Sequence, residues 1–208
     1  MPAMNDDLAG TGAVLALWND VTPEVEAEYN AWHANEHVPE RLTVPGMLWG
    51  LRYRRLGDGA TPRYLTLYGM RDAQVLESAA YRLLLSRPTP MSARMRPHLR
   101  NVSRWVCEVR EALGFFASSH LAVWTFDAED AARLREGEYT SSTTDLLLAQ
   151  RSTAAAPLPW LTDGQAHAIE GSWLLAIGMP EEALAASEAA RGAMLYGALP
   201  VRPALHRP

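Results

Sequence analysis

The chain has 208 residues, of which 48% are hydrophobic and 21% charged, and its formal net charge is −5. These values are typical of a soluble globular protein and give no electrostatic reason to bind nucleic acid or an anionic membrane. Lysine is absent from the sequence, which excludes Schiff-base formation, pyridoxal-phosphate attachment and a phosphate-binding P-loop. Cys107 is the only cysteine, so neither an internal disulfide nor a zinc site made of thiolates can form.

The N-terminal segment MPAMNDDLAG is acidic and lacks the basic and apolar parts of a signal peptide. No apolar run approaches the roughly 18 residues that span a bilayer. The sequence also lacks the G-x-G-x-x-G and G-x-S-x-G motifs, which argues against a Rossmann nucleotide site and a hydrolase elbow. We therefore expect a cytoplasmic protein.

The first half of the chain predicts the order strand, helix, strand, strand, helix, strand. Residues 13–21 (AVLALWNDV) are a short apolar run, typical of a buried strand. Thr22 before Pro23, followed by acidic residues, begins a helix that ends near Leu42. The predicted strands are residues 13–21, 47–56, 63–70 and 101–111, and the predicted helices are residues 23–42 and 71–85. The arginine-rich stretch 87–104 is interpreted as a loop with paired charges, with an anion or acyl-carrier surface as the alternative.

Side chains alternate between the two faces of these predicted strands. In the third strand, Tyr64 and Tyr68 share one face. In the second strand, Trp49 and Tyr53 share one face, and Arg52 points to the opposite one. The alternation predicts that aromatic rings and an arginine are presented to different layers of the fold.

The second half of the chain is predicted to be a looser copy of the first. The segment HLAVWTF resembles VLALWND, and SWLLAIGM resembles RYLTLYGM. The predicted strands are residues 116–126, 145–152, 167–179 and 195–201, and the predicted helices are residues 128–139 and 180–194. We therefore predict an α+β protein of two ferredoxin-like β-α-β-β-α-β repeats, residues 1–113 and residues 114–208.

The candidate chemistry lies mainly on the first helix, in the segment NAWHANEH. His33 and His37 are four residues apart and share one face, with Glu36 and Asn30 on the same stripe. HANEH matches the H-x-x-E-H pattern of a zinc-peptidase helix, in which both histidines bind zinc and the glutamate polarises water. Candidates for the third ligand that such a site needs are Glu108 and Glu111.

Without a metal, the same residues predict acid–base chemistry. A histidine titrates near neutral pH, so His37 would exchange a proton with a substrate, assisted by His33 and Glu36. Asn30 and Arg52 would hold the developing oxyanion. The first half also offers aromatic walls for a planar ligand: Trp18, Trp32, Trp49, Tyr53, Tyr64 and Tyr68. The structural alternative is that these rings belong to the core and that the charged helix face is only solvated.

The order of elements, together with EYNAWHANEHVPERLTVPGMLWGLRYRR and PRYLTLYGMRDAQVLESAAY, resembles the dimeric α+β barrel superfamily, especially its EthD-like and related branches. The resemblance covers most of the first half, and the second half matches in element order only. It implies that the two repeats close into one barrel within a single chain, with one pocket kept and one degenerate. Members of the superfamily include cofactor-free monooxygenases, polyketide cyclases, isomerases and dehydratases, and some bind haem.

We therefore hypothesise a cofactor-independent enzyme that performs proton-transfer chemistry on an aromatic or polyketide-like substrate, as a cyclase, isomerase, dehydratase or C–C lyase. The alternatives are a haem- or metal-dependent relative that uses His33 or His37 as a ligand, and a small-molecule binding protein without catalysis. We expect neither nucleic acid nor a membrane as a partner. A homodimer is a further expectation, because the predicted sheets have exposed edges.

Overall fold

The computed structural model describes residues 10–114, 118–128, 145–152, 158–181 and 192–202. These ranges contain eight strands and several short helical segments, which confirms the predicted α+β class. The strands are β1 (Ala13–Val21), β2 (Met47–Arg55), β3 (Tyr64–Met70), β4 (Leu99–Leu113), β5 (His120–Phe126), β6 (Leu146–Arg151), β7 (Trp173–Met179) and β8 (Met194–Leu199). Each of them overlaps a predicted strand.

The eight strands form one closed antiparallel barrel in the order β1-β3-β2-β8-β5-β7-β6-β4. The two halves join through β2 with β8, where Arg52 lies opposite Leu199, and through β4 with β6, where Cys107 lies opposite Arg151. Within each half the strands follow the same spatial order: fourth, first, third, second. The predicted helices of the second half lie almost entirely outside the described residues. The complete repeats and the boundary between residues 113 and 114 therefore remain predictions.

Closure of the barrel pairs every described strand on both sides. The predicted homodimer rested on exposed sheet edges, and the described strands have none. A homodimer therefore remains a prediction without that support.

The first helical region runs without a break from Pro23 to Arg41. It consists of a 3-10 turn (Pro23–Val25), α1 (Glu26–Trp32), a π turn (His33–His37) and α2 (Val38–Arg41). Thr22 occupies the N-cap position, as predicted, but its side chain makes no cap hydrogen bond. Its hydroxyl instead contacts His98 Nδ1 at 3.1 Å.

The second helical region differs from the prediction. It consists of a 3-10 turn (Ala73–Glu77), α3 (Ala79–Ser86), α4 (Pro90–Met95) and a 3-10 turn (Arg96–His98). The loop predicted for residues 87–104 is wrong, because this stretch contains α4 and the start of β4. Thr89 caps α4 by accepting a hydrogen bond from the Ser92 backbone at 3.1 Å, and Pro90 follows it at the first helical position. Among the residues described, no helix is long and apolar enough to cross a bilayer, and a cytoplasmic location stays a prediction.

Side chains fill the inside of the barrel. Trp18 and Trp105 meet edge to face with ring centroids 5.5 Å apart, and apolar residues from both halves surround them. Gly69 lies so close to the Trp49 ring that a Cβ atom there would be 2.0 Å from it. The interior is thus a packed core, as is usual for an eight-stranded barrel of this size.

The helices of the first half cover the outer face of their own four strands. One buried cluster joins Val38, Tyr68 and Val75, and a second joins Tyr29, Trp32 and neighbouring residues of α4 and β4. The imidazole-bearing helix therefore packs on the outside of the barrel, and its pocket lies between helices and sheet.

Candidate active site

The segment HANEH forms a single π turn. The Val38 N–H bonds to the His33 carbonyl, five residues back, instead of the Ala34 carbonyl, four residues back. Pro39 follows directly; it lacks an N–H, and its ring crowds the carbonyl four residues earlier, which disfavours regular α-helical bonding. The Ala34 carbonyl accepts a hydrogen bond from the Arg202 N–H at 3.0 Å instead. Turns of this type are rare and frequently occur at functional sites.

The two imidazoles are neighbours within an aromatic cluster. The ring centroids of His33 and His37 are 4.8 Å apart. The Tyr29 ring lies 5.2 Å from His33, and the Trp32 ring lies 4.5 Å from His37. The Nδ1 atoms of both histidines are buried and have no hydrogen-bond partner among the described residues. Such a buried polar atom costs free energy until a partner reaches it, which makes both atoms candidates for contact with a ligand.

These histidines border a cavity of about 60 Å³ between the helices and the outer face of β1. Its polar lining consists of Asn19, His33, His37, Arg41, Ser92 and Arg96, and the rest is aromatic or aliphatic. Leu158 and Trp160, from the second half of the chain, complete the wall. Both halves therefore contribute to this site.

Burial lowers the pKa of both imidazoles well below the usual value. For His33 the next causes are His37, Arg52 and Arg41, and for His37 they are Arg41, Arg96 and Arg52. All of these effects disfavour a positive charge on the ring. Both side chains are therefore neutral at neutral pH and can accept a proton, but they have none to give as imidazolium.

Two arginines bring positive charge to the same cavity. Arg41 is only 5% exposed and forms an ion pair with Glu40 at 3.2 Å. Arg96 donates to the Leu85 carbonyl at 3.1 Å, and its guanidinium lies 5.3 Å from the centre of the Trp160 ring. Sequence reasoning assigned neither arginine a role. Arg41 stood at the end of the polar helix stripe, and Arg96 lay in the stretch that was interpreted as a loop.

The structure directs Glu36 away from the role predicted for it. Its carboxylate accepts a hydrogen bond from the Thr89 hydroxyl, the same hydroxyl that caps α4. Glu36 does not line the cavity of the histidines. Its contact therefore ties the first helix to α4 instead of assisting His37.

Asn30 and Arg52 also lie outside the cavity, because they bind each other. The Arg52 guanidinium donates to Asn30 Oδ1 at 2.9 Å, and Asn30 Nδ2 donates to the Tyr64 hydroxyl at 2.8 Å. The Tyr64 hydroxyl in turn donates to Glu26 at 2.5 Å, and Arg63 binds the same carboxylate at 2.8 Å. This network fixes α1 on β2 and β3. The oxyanion-holding role of Asn30 and Arg52 stays a prediction, and in this structure the two side chains bind each other.

The predicted aromatic walls separate into different layers. Of the six candidates, Trp32 lines the cavity, and Trp18 borders it while also belonging to the core inside the barrel. Trp49 and Tyr53 belong to the core inside the barrel, where Trp49 donates to the Thr11 hydroxyl at 3.0 Å. Tyr64 and Tyr68 are buried between sheet and helix without lining the cavity. Strand alternation explains the separation, because neighbouring residues of a strand face opposite sides of the sheet.

The described donor set does not form a metal site with three protein ligands, and haem ligation by one of the imidazoles stays a prediction. Across residues 10–114 and the shorter described ranges, no three His, Cys, Asp or Glu side chains come close enough to hold a metal ion. Glu108 and Glu111, the predicted third ligands, are exposed on β4. The cavity at His33 and His37 is far smaller than the roughly 300–1,000 Å³ of ordinary cofactor and ligand pockets, so a porphyrin or a three-ring substrate would enter only after a wall residue such as Trp160 moved.

No protein-family model and no curated protein sequence matches the chain. Its fold does match solved structures. An anthrone oxidase-like protein is 13% identical with a TM-score of 0.58, and the match covers 93% of each chain. A candidate monooxygenase from Fusobacterium nucleatum is 10% identical with a TM-score of 0.53, and the match covers 92% of this chain and 94% of the other. The chain shares their fold.

The shared fold agrees with the resemblance drawn from the sequence. At such low identity a structural match shows the fold alone. Membership of the dimeric α+β barrel superfamily and of its EthD-like branch therefore remains a hypothesis.

Proposed function

We propose that the chain is an enzyme that removes a proton from a small aromatic or polyketide-like molecule, with His33 and His37 as proton acceptors. One observation carries the proposal. Two imidazoles with lowered pKa and unpaired, buried Nδ1 atoms share a cavity with the guanidinium groups of Arg41 and Arg96.

The arginines stabilise the anion that the proton transfer produces. A neutral imidazole in this site is a weak base, because burial and the arginines disfavour its protonation. The same arginines stabilise a negative charge on a phenol or on an enolisable carbon acid. Once that anion forms, it offsets the positive field and pairs with the imidazolium. The arrangement thus favours neutral acids that lose a proton inside the cavity over bases that enter the cavity as cations.

Removal of a proton next to an aromatic ring can lead to several products. The names of the two structural neighbours, anthrone oxidase-like protein and monooxygenase, favour an oxidative outcome. We propose that the carbanion reacts with molecular oxygen without a bound cofactor. The balance for a methylene group is R₂CH₂ + O₂ → R₂C=O + H₂O. Cyclisation, isomerisation and dehydration begin with the same proton transfer and consume no oxygen.

The test is turnover of anthrone, measured as oxygen uptake and product formation above the protein-free rate. We expect uptake of one oxygen molecule for each ketone formed. Consumption of the substrate without oxygen uptake would indicate an isomerase or cyclase reaction instead of oxidation. Saturable binding without turnover would identify a binding protein and end the catalytic proposal.

Histidine variants then test the role of the imidazoles. His37→Gln and His33→Gln should each lower kcat by about 10²-fold or more, the usual effect of losing a general base. His120→Gln is the matched control, because His120 lies on β5 and pairs with Ser119 at 2.9 Å. Since both imidazoles stay neutral, the activity should not fall as the pH decreases from about 8 to about 6. A rate that halves near the ordinary histidine pKa would contradict the assignment.

A further inference from the structure

A second, larger cavity of about 590 Å³ lies where β4 and β6 stop pairing. The ladder between these strands ends at Cys107 and Arg151, and the Ser152 N–H makes a last bond to the Val106 carbonyl at 2.7 Å. Nearer the N-terminal end of β4, its neighbour is the segment around Gln165: the Val102 N–H donates to the Gln165 carbonyl at 2.7 Å. The cavity lies beside β4 between these two attachment points.

This cavity is separate from the histidine cavity but adjacent to it. Val102 and Leu158 line both, and neither His33 nor His37 lines the larger one. The two cavities are thus neighbours that share Val102 and Leu158, and the imidazoles belong to the smaller one.

The polar part of the lining is positively charged. Arg104 from β4 and Arg151 from β6 line the cavity, together with Ser103, Ser152 and Ser172; the Ser172 hydroxyl donates to Asp127 at 3.3 Å. Its described lining contains no aspartate or glutamate. The Arg151 guanidinium lies 4.7 Å from the centre of the Trp105 ring, a cation–π contact that orients it without neutralising it.

The remaining lining is mainly aliphatic and also contains His167. Val106, Leu161 and Ile169 join Val102 and Leu158 around the cavity. A cavity lined by guanidinium groups, serines and branched aliphatic side chains matches a molecule that has an anionic head and an apolar body. The volume lies within the roughly 300–1,000 Å³ typical of small-molecule sites.

We propose that this cavity is a binding site for a monocarboxylate with an aliphatic or aryl body, with Arg104 and Arg151 at the carboxylate. The site is independent of the proposed proton-transfer reaction. It gives the chain a second ligand whose recognition rests on charge at one end and on apolar burial at the other.

Octanoate is the probe, and its binding to the full chain is measured by titration calorimetry. We expect saturable binding of octanoate, binding of 1-octanol that is at least about tenfold weaker, and none of octylammonium. Equal affinity for octanoate and 1-octanol would overturn the proposal, because the arginines would then have no part in recognition. Equal affinity for octanoate and acetate would overturn it too, because the site would then bind only an anion.

Variants locate the site. Arg151→Gln and Arg104→Gln should each weaken octanoate binding about tenfold, and Arg151→Lys should retain part of the affinity because it keeps the charge. Arg110→Gln is the matched control on the same strand, since Arg110 bonds to Glu108 and Gln150 at the surface. His37→Gln should leave octanoate affinity unchanged. Loss of binding in His37→Gln, with both arginine variants unaffected, would place octanoate in the histidine cavity and overturn the proposal.

Discussion

His33 and His37 face each other on one π turn, with ring centroids 4.8 Å apart and ring planes at 40°. Protonation of one ring would disfavour protonation of the other, in addition to the cost of burial and of the nearby arginines. The pair therefore enters the folded state uncharged, and this has consequences for stability as well as for chemistry.

The stability of the protein should fall as the medium becomes acidic. The folded pKa of each histidine is lowered, so below about pH 6.5 the unfolded chain binds more protons than the folded protein. The free energy of unfolding is therefore at its full value above the pKa that the histidines have in the unfolded chain. It falls as the pH decreases from there towards their pKa in the folded protein. At one pH unit below 6.5 the loss should be roughly 1.4 kcal/mol per histidine.

Urea unfolding between about pH 8 and pH 5 measures this dependence. The variant His33→Gln/His37→Gln provides the control, and its free energy of unfolding should vary much less over the same range. A wild-type protein whose stability is constant from pH 7 to pH 5 would contradict the neutral-pair description.

Replacement of Arg52 by methionine should destabilise the fold by about 2–4 kcal/mol. The guanidinium is buried and donates to Asn30 at 2.9 Å, so its removal leaves the half-buried Asn30 oxygen without that partner. Arg54→Met, two residues along the same strand and exposed, should change the free energy of unfolding by less than about 0.5 kcal/mol. Denaturant unfolding of both variants checks the difference. Equal values would show that the network does not hold the first helix to the barrel.

Gly69→Ala should be strongly destabilising, by about 1–3 kcal/mol or more. The new methyl group would lie 2.0 Å from the Trp49 ring, so the indole would have to leave its place inside the packed barrel. Gly164→Ala is the control, since no atom lies within 4 Å of the position of its Cβ. Thermal unfolding compares the two. A Tm of Gly69→Ala equal to that of Gly164→Ala would mean that the indole relocates without cost.

Trp160→Ala should improve access of a three-ring substrate to the histidines. Trp160 and Leu85 line both the histidine cavity and an outer cavity of about 440 Å³, so the indole separates the two. Displacing it by a ligand breaks its contact with Arg96, worth about 0.5–1 kcal/mol at a partly exposed site. The KM for anthrone should therefore fall about two- to fivefold in the variant. The KM of Trp160→Phe should lie between those of the wild type and Trp160→Ala. A KM that rises in both variants would show that the indole binds the substrate instead of blocking it.

The local elements were largely predictable from the sequence. The apolar run of β1 and the alternation in β2 and β3 depend on neighbouring residues only, and their predicted limits differ from the observed ones by at most one residue. The helix α4 could also have been found, because Thr89 followed by Pro90 has the same cap-and-proline pattern as Thr22 and Pro23.

The candidate site was less predictable, because it depends on contacts between distant residues. The Thr89 hydroxyl, 53 residues away in the sequence, donates a hydrogen bond to the Glu36 carboxylate. Trp160 lines the cavity from the other half of the chain. The π turn changes which side of the helix each residue faces, although Pro39 is a visible cause for it. A helical wheel drawn at regular spacing puts Asn30, Glu36 and Arg41 on the stripe of the imidazoles, and in the structure only Arg41 of these lines their cavity, together with Arg96 from outside the helix.

A ring of hydrogen-bonded strands has no outermost member from which separation can begin. Opening the described barrel at any seam, including that between β2 and β8, breaks a complete ladder and exposes the aromatic core at once. The helices outside can loosen without that penalty. Amide hydrogens of the strands should accordingly exchange with deuterium together and slowly, at the rate of global unfolding, while those of the imidazole-bearing helix exchange earlier through local opening.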